Sequence, residues 1–241
     1  MVTTHGHLLG GRVRYSQSAT GFRSGIEPVL LAACVPARPG DAVLEAGTGA
    51  GAAWLCLGFR VPGVHGIGVE IDATAAALAA ANVRSNGLTG IEIVRCRIED
   101  AVFAHQFDHA MANPPYHPAG GSESAVAERE TAKRGSGPLM LAWIEGLSRS
   151  LRHRGSLTLI VPAGMVSACI TAMVACRCPC TVLFPLWPKA GRPAKLVLVR
   201  GVKNARGPMR LMPGLVLHRP DGSYTSAAQD VLSDGAALDL E

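Results

Sequence analysis

No apolar run in this chain is long enough to cross a bilayer. The longest, residues 157–161 and 196–199, are strand-sized, whereas a membrane helix needs about 20. The start, Met1-Val2-Thr3-Thr4-His5-Gly6-His7, lacks the basic-then-apolar order of a secretory leader. These absences predict a soluble, cytoplasmic protein. Internal repeats, low-complexity tracts and long linkers are also missing, which sets aside repeat architectures. Seven cysteines is an odd number, and without secretory context reduced thiols are expected. Cys176, Cys178 and Cys180 form a C-x-C-x-C run, but no second Cys/His cluster of suitable spacing follows. Buried small apolar side chains are expected there, with no metal.

What is present is a chain of 241 residues, 48% hydrophobic, with mean hydropathy +0.24. That is enough for one α/β domain with a sizeable core. The net charge of +5 and pI near 9.0 have the right sign for a polyanionic partner. They also fit an ordinary basic surface. The excess is largely arginine: Arg12, Arg14 and Arg23, then residues 129–134, then 192–210.

Apolar and helical segments alternate. A helix is expected over 28–34, strands over 42–44, 64–69, 91–96 and 107–111, and a helix over 74–86. The glycine turn after the first strand should enter a helix through 54–57. Residues 117–137 are polar and glycine-bearing and read as a long loop or short helices. An amphipathic helix follows over 138–151, then a strand over 155–161, a helix over 164–175, and strands over 178–183 and 195–200. A short strand over 215–218 and a helix from Thr225 end the chain. Such alternation predicts an α/β, Rossmann-like fold with a mostly parallel, seven-stranded sheet. Too few residues join the last two strands for a crossover, so they should form an antiparallel hairpin edge. The whole chain, 1–241, reads as one domain. Residues 1–40 form an N-terminal segment, 41–200 the core, and 201–241 a C-terminal extension.

Glu45-Ala46-Gly47-Thr48-Gly49-Ala50-Gly51 is a strand end opening into a glycine turn. Glycines permit positive φ and close approach of backbone to a ligand. The spacing is G-x-G-x-G, not the G-x-G-x-x-G of dinucleotide sites. Glu45 stands two residues before the first glycine. A carboxylate there suits a cationic ligand, and S-adenosyl-L-methionine carries both an ammonium and a sulfonium. Glu70, 25 residues on, stands near where Rossmann enzymes place a ribose-binding carboxylate. Asp72 reads as the N-cap of the following helix, and Ile71 lies between them. After the third strand, Arg97 occupies the place where an acid is expected, leaving Asp100 or Glu99 for the cofactor adenine.

Asn113-Pro114-Pro115-Tyr116 comes 66 positions after Gly47. The amine of adenine is a poor nucleophile because its lone pair is delocalised into the ring. The Asn113 side-chain oxygen and the Pro114 carbonyl can accept its two N–H bonds and stabilise charge developing on nitrogen. Two prolines fix φ and remove competing donors. Tyr116 can stack on the base, which must be unpaired or flipped to reach such a pocket.

With these motifs in order, the chain resembles the class I methyltransferases with an NPPY motif, especially the small bacterial tRNA(adenine-N6) methyltransferases that modify valine tRNA. The resemblance extends to Gly21-Phe22-Arg23 with Glu27, to Pro185-Leu186-Trp187-Pro188, and to the basic hairpin 189–195. It implies S-adenosyl-L-methionine as cofactor, with residues 1–40 covering its site, Phe22 and Arg23 lining it and Asn113 among the residues that bind it, and RNA, chiefly tRNA, as partner. RNA contacts would come from Arg129, Arg134, Lys189, Arg192 and Lys195. Glutamine-N5 methyltransferases share NPPY because a glutamine amide is also planar. They usually carry a helical recruiting domain, for which the roughly 40 residues before the first core strand leave little room. Guanine-N2 methyltransferases of rRNA usually carry an extra domain. A non-catalytic RNA-binding protein retaining the fold is the alternative of a different class.

Overall fold

The computed structural model describes residues 2–19, 25–103, 106–115 and 125–240, and of residues 125–136 only the backbone. Phe22, Arg23 and Tyr116 lie outside the described residues. In chain order the elements are β1 (Thr3–Leu8), β2 (Val13–Ser18), α1 (Glu27–Cys34), β3 (Ala42–Ala46), α2 (Ala52–Arg60), β4 (His65–Glu70), α3 (Ala73–Ser85), β5 (Ile91–Arg95) and β6 (Phe107–Ala112). Then come α4 (Ala125–Ser150), β7 (Leu151–Pro162), α5 (Val166–Ala175), β8 (Cys180–Lys189), β9 (Leu196–Val202), β10 (Arg210–Leu211), β11 (Leu215–His218) and α6 (Ser226–Asp234).

The main sheet runs β5-β4-β3-β6-β7-β9-β8, and β10 and β11 both pair with β8. Only β9 is antiparallel to its neighbours. The expected seven strands and the antiparallel β8–β9 pair are there. The sheet is wider than expected, with nine strands, because the two short C-terminal strands add to β8. Leu30, Trp54 and Leu57 fill the core on one face, and Ile144, Leu147 and Met173 that on the other. A sheet covered on both faces carries buried strands without polar alternation, as in Leu157–Val161.

The end of α1 shows how the ends of the chain are secured. A helix terminus leaves carbonyls without partners. Here Arg60 donates to Ala32 O at 2.9 Å and Val35 O at 2.5 Å. Arg200 donates to Cys34 O, and the Leu238 N–H donates to Ala33 O at 2.9 Å.

Two elements depart from the sequence expectation. The first is the antiparallel hairpin β1–β2, in the N-terminal segment, where the sequence predicts no strand. It is held by β2, which buries Val13 and Tyr15 and is stitched to α3 by two asparagines one turn apart. Asn82 accepts from Ser16 N at 3.0 Å and donates to Ser16 O at 2.8 Å. Asn86 does the same for Arg14, at 3.0 and 2.8 Å.

The second departure is α4, which begins at Ala125 and carries Pro138 inside it. Residues 125–137 are therefore part of one long helix, neither a loop nor the separate short helices that were the alternative. Alanine, glutamate, lysine and arginine over 125–134 favour a helix, and they outweigh Gly135, Gly137 and the hydrogen bond that Pro138 cannot make. The strand after it also starts earlier than expected, at Leu151, with a register shift between Phe107 and His109 of β6 that takes up the extra residues.

Candidate functional site

Ala46, the last residue of β3, pairs with Val69 of β4 on one side and Ala112 of β6 on the other. The glycine turn, Glu70 and Asn113 each follow directly. Three adjacent parallel strands therefore deliver them at one level of the carboxyl edge, about 5 Å apart from strand to strand. Ligands of open α/β sheets bind at this edge.

The turn needs its glycines. Gly47, Gly49 and Gly51 have φ of 65°, 56° and 89°, the left-handed region that side chains disfavour. The turn is tied down by the N–H groups of Gly47 and Thr48, which both donate to Val69 O, at 2.8 and 3.0 Å. A Cβ on Gly47 would lie 2.6 Å from the Trp143 ring of α4, whereas one on Gly49 would meet none of the described residues within 4 Å. The turn is thus closed beneath Gly47 and open over Gly49. Asn82 supports it from a third side, donating to Ala50 O at 2.8 Å.

Glu45 is 4% exposed and accepts from the Thr48 hydroxyl. Burial pushes its carboxyl up to about 8, the Thr48 hydrogen bond opposes this, and the nearby Glu70 charge adds to it. Among the described residues no cationic side chain is one of these influences, and a cationic ligand would supply opposite charge to this buried acid. Glu70 bridges two turns: Oε2 accepts from Gly49 N at 2.8 Å and Oε1 from Asp72 N at 2.9 Å. Carboxylate oxygens have lone pairs left for ribose hydroxyls. Asp72 is the N-cap of α3, accepting from Thr74 N and Ala75 N at 3.0 and 2.8 Å. Ile71 beside them is 54% exposed, an apolar surface suited to a purine face. Arg95 donates to Ile71 O at 3.3 Å. Arg97 pairs with Glu99 at 3.4 Å, and Asp100 is exposed.

On the reacting side Asn113 is half-buried, Pro114 buried and Pro115 exposed. The basic turn lies on the same edge, since β8 is antiparallel to β9 and β9 to β7. Three strand spacings separate β6 from β8, about 15 Å. Arg192 and Lys195 are exposed, but Lys189 donates to Pro220 O at 2.9 Å. Of Arg129 and Arg134 only the helical backbone is described.

Sequence reasoning missed Thr48, Asn82 and Trp143. A buried asparagine inside the alanine-rich α3 was the available signal for Asn82, since buried amides need partners. In the C-x-C-x-C run Cys176 is only half-buried. Cys178 and Cys180 are buried in the α4–α5 core, and burial pushes their thiols up to about 12 and about 11. Among the described residues no group of three or more His, Cys, Asp or Glu is arranged to hold a metal ion. No helix among them is long and apolar enough to cross a membrane.

Residues 25–136 match the family model described as the methyltransferase small domain. The chain is 30% identical over 154 residues to the tRNA1(Val) (adenine(37)-N6)-methyltransferase of Shewanella halifaxensis, covering 62% of each chain. With the protein of the same description from Pseudoalteromonas translucida it is 30% identical over 162 residues, 66% of this chain and 67% of that one. A shorter stretch, 94 residues, is 34% identical to the release factor glutamine methyltransferase of Rhodospirillum rubrum, covering 39% of this chain and 28% of that one. The chain thus spans about three fifths of the length of the first of these relatives (62%). Among solved structures, a predicted O-methyltransferase of Agrobacterium tumefaciens superposes with a TM-score of 0.72 at 21% identity, covering 88% of this chain and 98% of that one.

Proposed function

The chain belongs to the tRNA1(Val) (adenine-N6)-methyltransferase family, and on that premise we propose that it methylates the exocyclic amine of an unpaired or flipped adenine in RNA, with tRNA as the substrate class. The cofactor is S-adenosyl-L-methionine, which supplies an electrophilic methyl group when bound. The observation that carries the reading is the shared level of Gly47, Glu70 and Asn113, set by the pairing of Ala46 with Val69 and Ala112.

The residues at this edge suit that cofactor. Glu45 and the open face of Gly49 would take its cationic amino-acid portion, Glu70 its ribose hydroxyls, and Ile71 with Asp100 its adenine. Gly51 starts α2 and sets the angle at which the turn leaves. Phe22 and Arg23 of the arm that precedes α1 would complete the enclosure. Residues 1–40, 41–200 and 201–241 then form one catalytic domain with its covering segment and its extension, working in the cytoplasm.

Asn113 accepts one N–H of the target amine through its side-chain oxygen, and Pro114 accepts the other through its carbonyl. Both acceptors stabilise positive charge that grows on nitrogen in the transition state. No strong base is required, because the methylated nitrogen gives up its proton readily. Tyr116 stacks on the base. Arg129, Arg134, Lys189, Arg192 and Lys195 hold the RNA backbone, with Arg192 and Lys195 the more available of the last three.

The test is incubation with labelled cofactor and, separately, total tRNA, rRNA and release factors, followed by digestion. N6-methyladenosine from tRNA is the expected product, and its rate of formation should fall by about 10²–10³ with Asn113→Ala. Label on glutamine or on guanine N2 instead would overturn the adenine reading. RNA binding by wild type with no transfer to any acceptor would overturn the enzymatic one.

A further inference from the structure

Among the described residues, four that are not glycine have left-handed backbone, and three of them line one open cleft: Arg154 (φ 66°), Arg177 (φ 55°) and Asn204 (φ 59°). His153 and Arg206 complete its basic wall. The cleft lies where β7 begins, where α5 turns into β8, and where β9 ends. That is the amino edge of the sheet, opposite the glycine turn and Asn113. Along β7 the distance between the two edges is roughly 20 Å at about 3.3 Å per residue.

An L-residue is strained in this conformation, and glycine is the usual solution. The chain uses glycine for it at 13 other described positions. Arginine at 154 and 177 therefore points to a use for the side chain. Arg177 follows α5, with Cys178 N donating to Met173 O at 2.9 Å and Arg177 N to Val174 O at 3.1 Å. A cation there also suits the helix dipole, but that explanation does not extend to Arg154 or Arg206. The three segments are cross-tied by main chain: Arg154 N donates to Lys203 O at 3.2 Å and Asn204 N to Arg177 O at 2.8 Å. The Asn204 amide meets His153 Nδ1 at 3.2 Å. The arginines thus stand on a rigid base. All three are exposed, and among the described residues none is paired to a carboxylate. The nearby acid Asp108 is taken by Arg152.

We propose that this cleft is a phosphate-binding site, using guanidinium groups that match phosphate oxygens in pairs. The phosphate would come from the backbone of the bound nucleic acid, reaching round the sheet, or from a free phosphate-bearing molecule. The chemistry of the cleft does not rest on the methyl-transfer reading.

The variants are Arg154→Gly, Arg177→Gly and Arg206→Ala, singly and together, in the full chain. Glycine fits the first two positions without strain, so the melting temperature should hold or rise and lost binding is not lost folding. Inorganic pyrophosphate is titrated calorimetrically, and tRNA affinity is measured against salt. The triple variant should lose pyrophosphate affinity tenfold or more, or lower the slope of log affinity against log salt by about two to three, with cofactor affinity unchanged. A reduced salt slope identifies the nucleic acid as the source of the phosphate. Lost pyrophosphate binding with an unchanged slope identifies a free ligand. If both measurements match wild type, the proposal is overturned. A protein that methylates nothing can still pass or fail the pyrophosphate arm.

Discussion

The Thr48 hydroxyl donates to the Glu45 carboxylate three residues before it, across the bend where β3 becomes the glycine turn. Thr48 also fastens the turn to β4 through its own N–H on Val69 O, at 3.0 Å. The buried acid and the cofactor cradle are therefore one mechanical unit, and what changes the charge of the first is felt by the second.

Cofactor binding should release protons near neutral pH. Burial raises Glu45 to about 8, so the ligand-free acid is largely protonated at pH 7. A cationic ligand lowers that value. Affinity should rise with pH and level off above about 8. Calorimetry in two buffers of different ionisation enthalpy measures the release, which should vanish in Glu45→Gln. The same raised value makes the ligand-free fold bind more protons than the unfolded chain between the ordinary value of 4.5 and about 8. Stability from this group is complete below that window and is lost as pH rises through it, by on the order of a few kcal/mol. Glu45→Gln should flatten the profile.

Gly47→Ala and Gly49→Ala should separate strain from collision. Both positions have left-handed backbone, which costs an alanine about 1–2 kcal/mol. Only at Gly47 does the new methyl also meet Trp143, adding about 1–3 kcal/mol of overpacking. Thermal melts should place Gly47→Ala several degrees below Gly49→Ala. Equal melting temperatures would show that the Trp143 contact carries no weight.

Asn82→Ala should destabilise by about 2–4 kcal/mol, because it removes the partners of Ser16 N, Ser16 O and Ala50 O. Asn86→Ala, whose bonds to Arg14 are exposed, should cost less. Hydrogen exchange at Ser16 N reports the loss directly. Cofactor affinity should fall with Asn82→Ala through Ala50 and be unchanged with Asn86→Ala.

Asn113→Ala should lower kcat by about 10²–10³, the usual size for a removed charge-stabilising group. Cofactor affinity should move little. A fall in cofactor affinity matching the fall in kcat would show that Asn113 acts chiefly in cofactor binding.

What could be read from the chain follows how local each signal is. Asp72 caps α3 as its position ahead of Thr74 and Ala75 implies, because capping is decided within one turn. The mostly parallel sheet and its antiparallel β8–β9 pair followed from apolar runs and connection lengths, whereas the order of the strands did not. The hairpin β1–β2 escaped because its stability comes from Asn82 and Asn86, some 70 residues away. Trp143 over Gly47 escaped for the same reason. Helix α4 was cut short because Gly135, Gly137 and Pro138 are strong local breakers, while the packing of Ile144 and Leu147 that anchors the helix lies beyond them. The tie from Lys189 to the Pro220 carbonyl joins a hairpin to a distant turn, which no spacing rule reveals.

On the outer side of β8 two strands share one position. β10 covers Val182 and Leu183, and β11 covers Leu186, Trp187 and Lys189. Between them a Cβ on Gly214 would collide with the Pro185 carbonyl, and Trp187 donates to Pro213 O at 2.9 Å. An intruding chain that tried to extend the sheet here would find a border only two to four residues long, interrupted by Pro213. The consequence is resistance to fibril-like stacking through this flank. Replacing Pro213-Gly214 by residues that let the two pieces fuse should create a template for aggregation where there is now none.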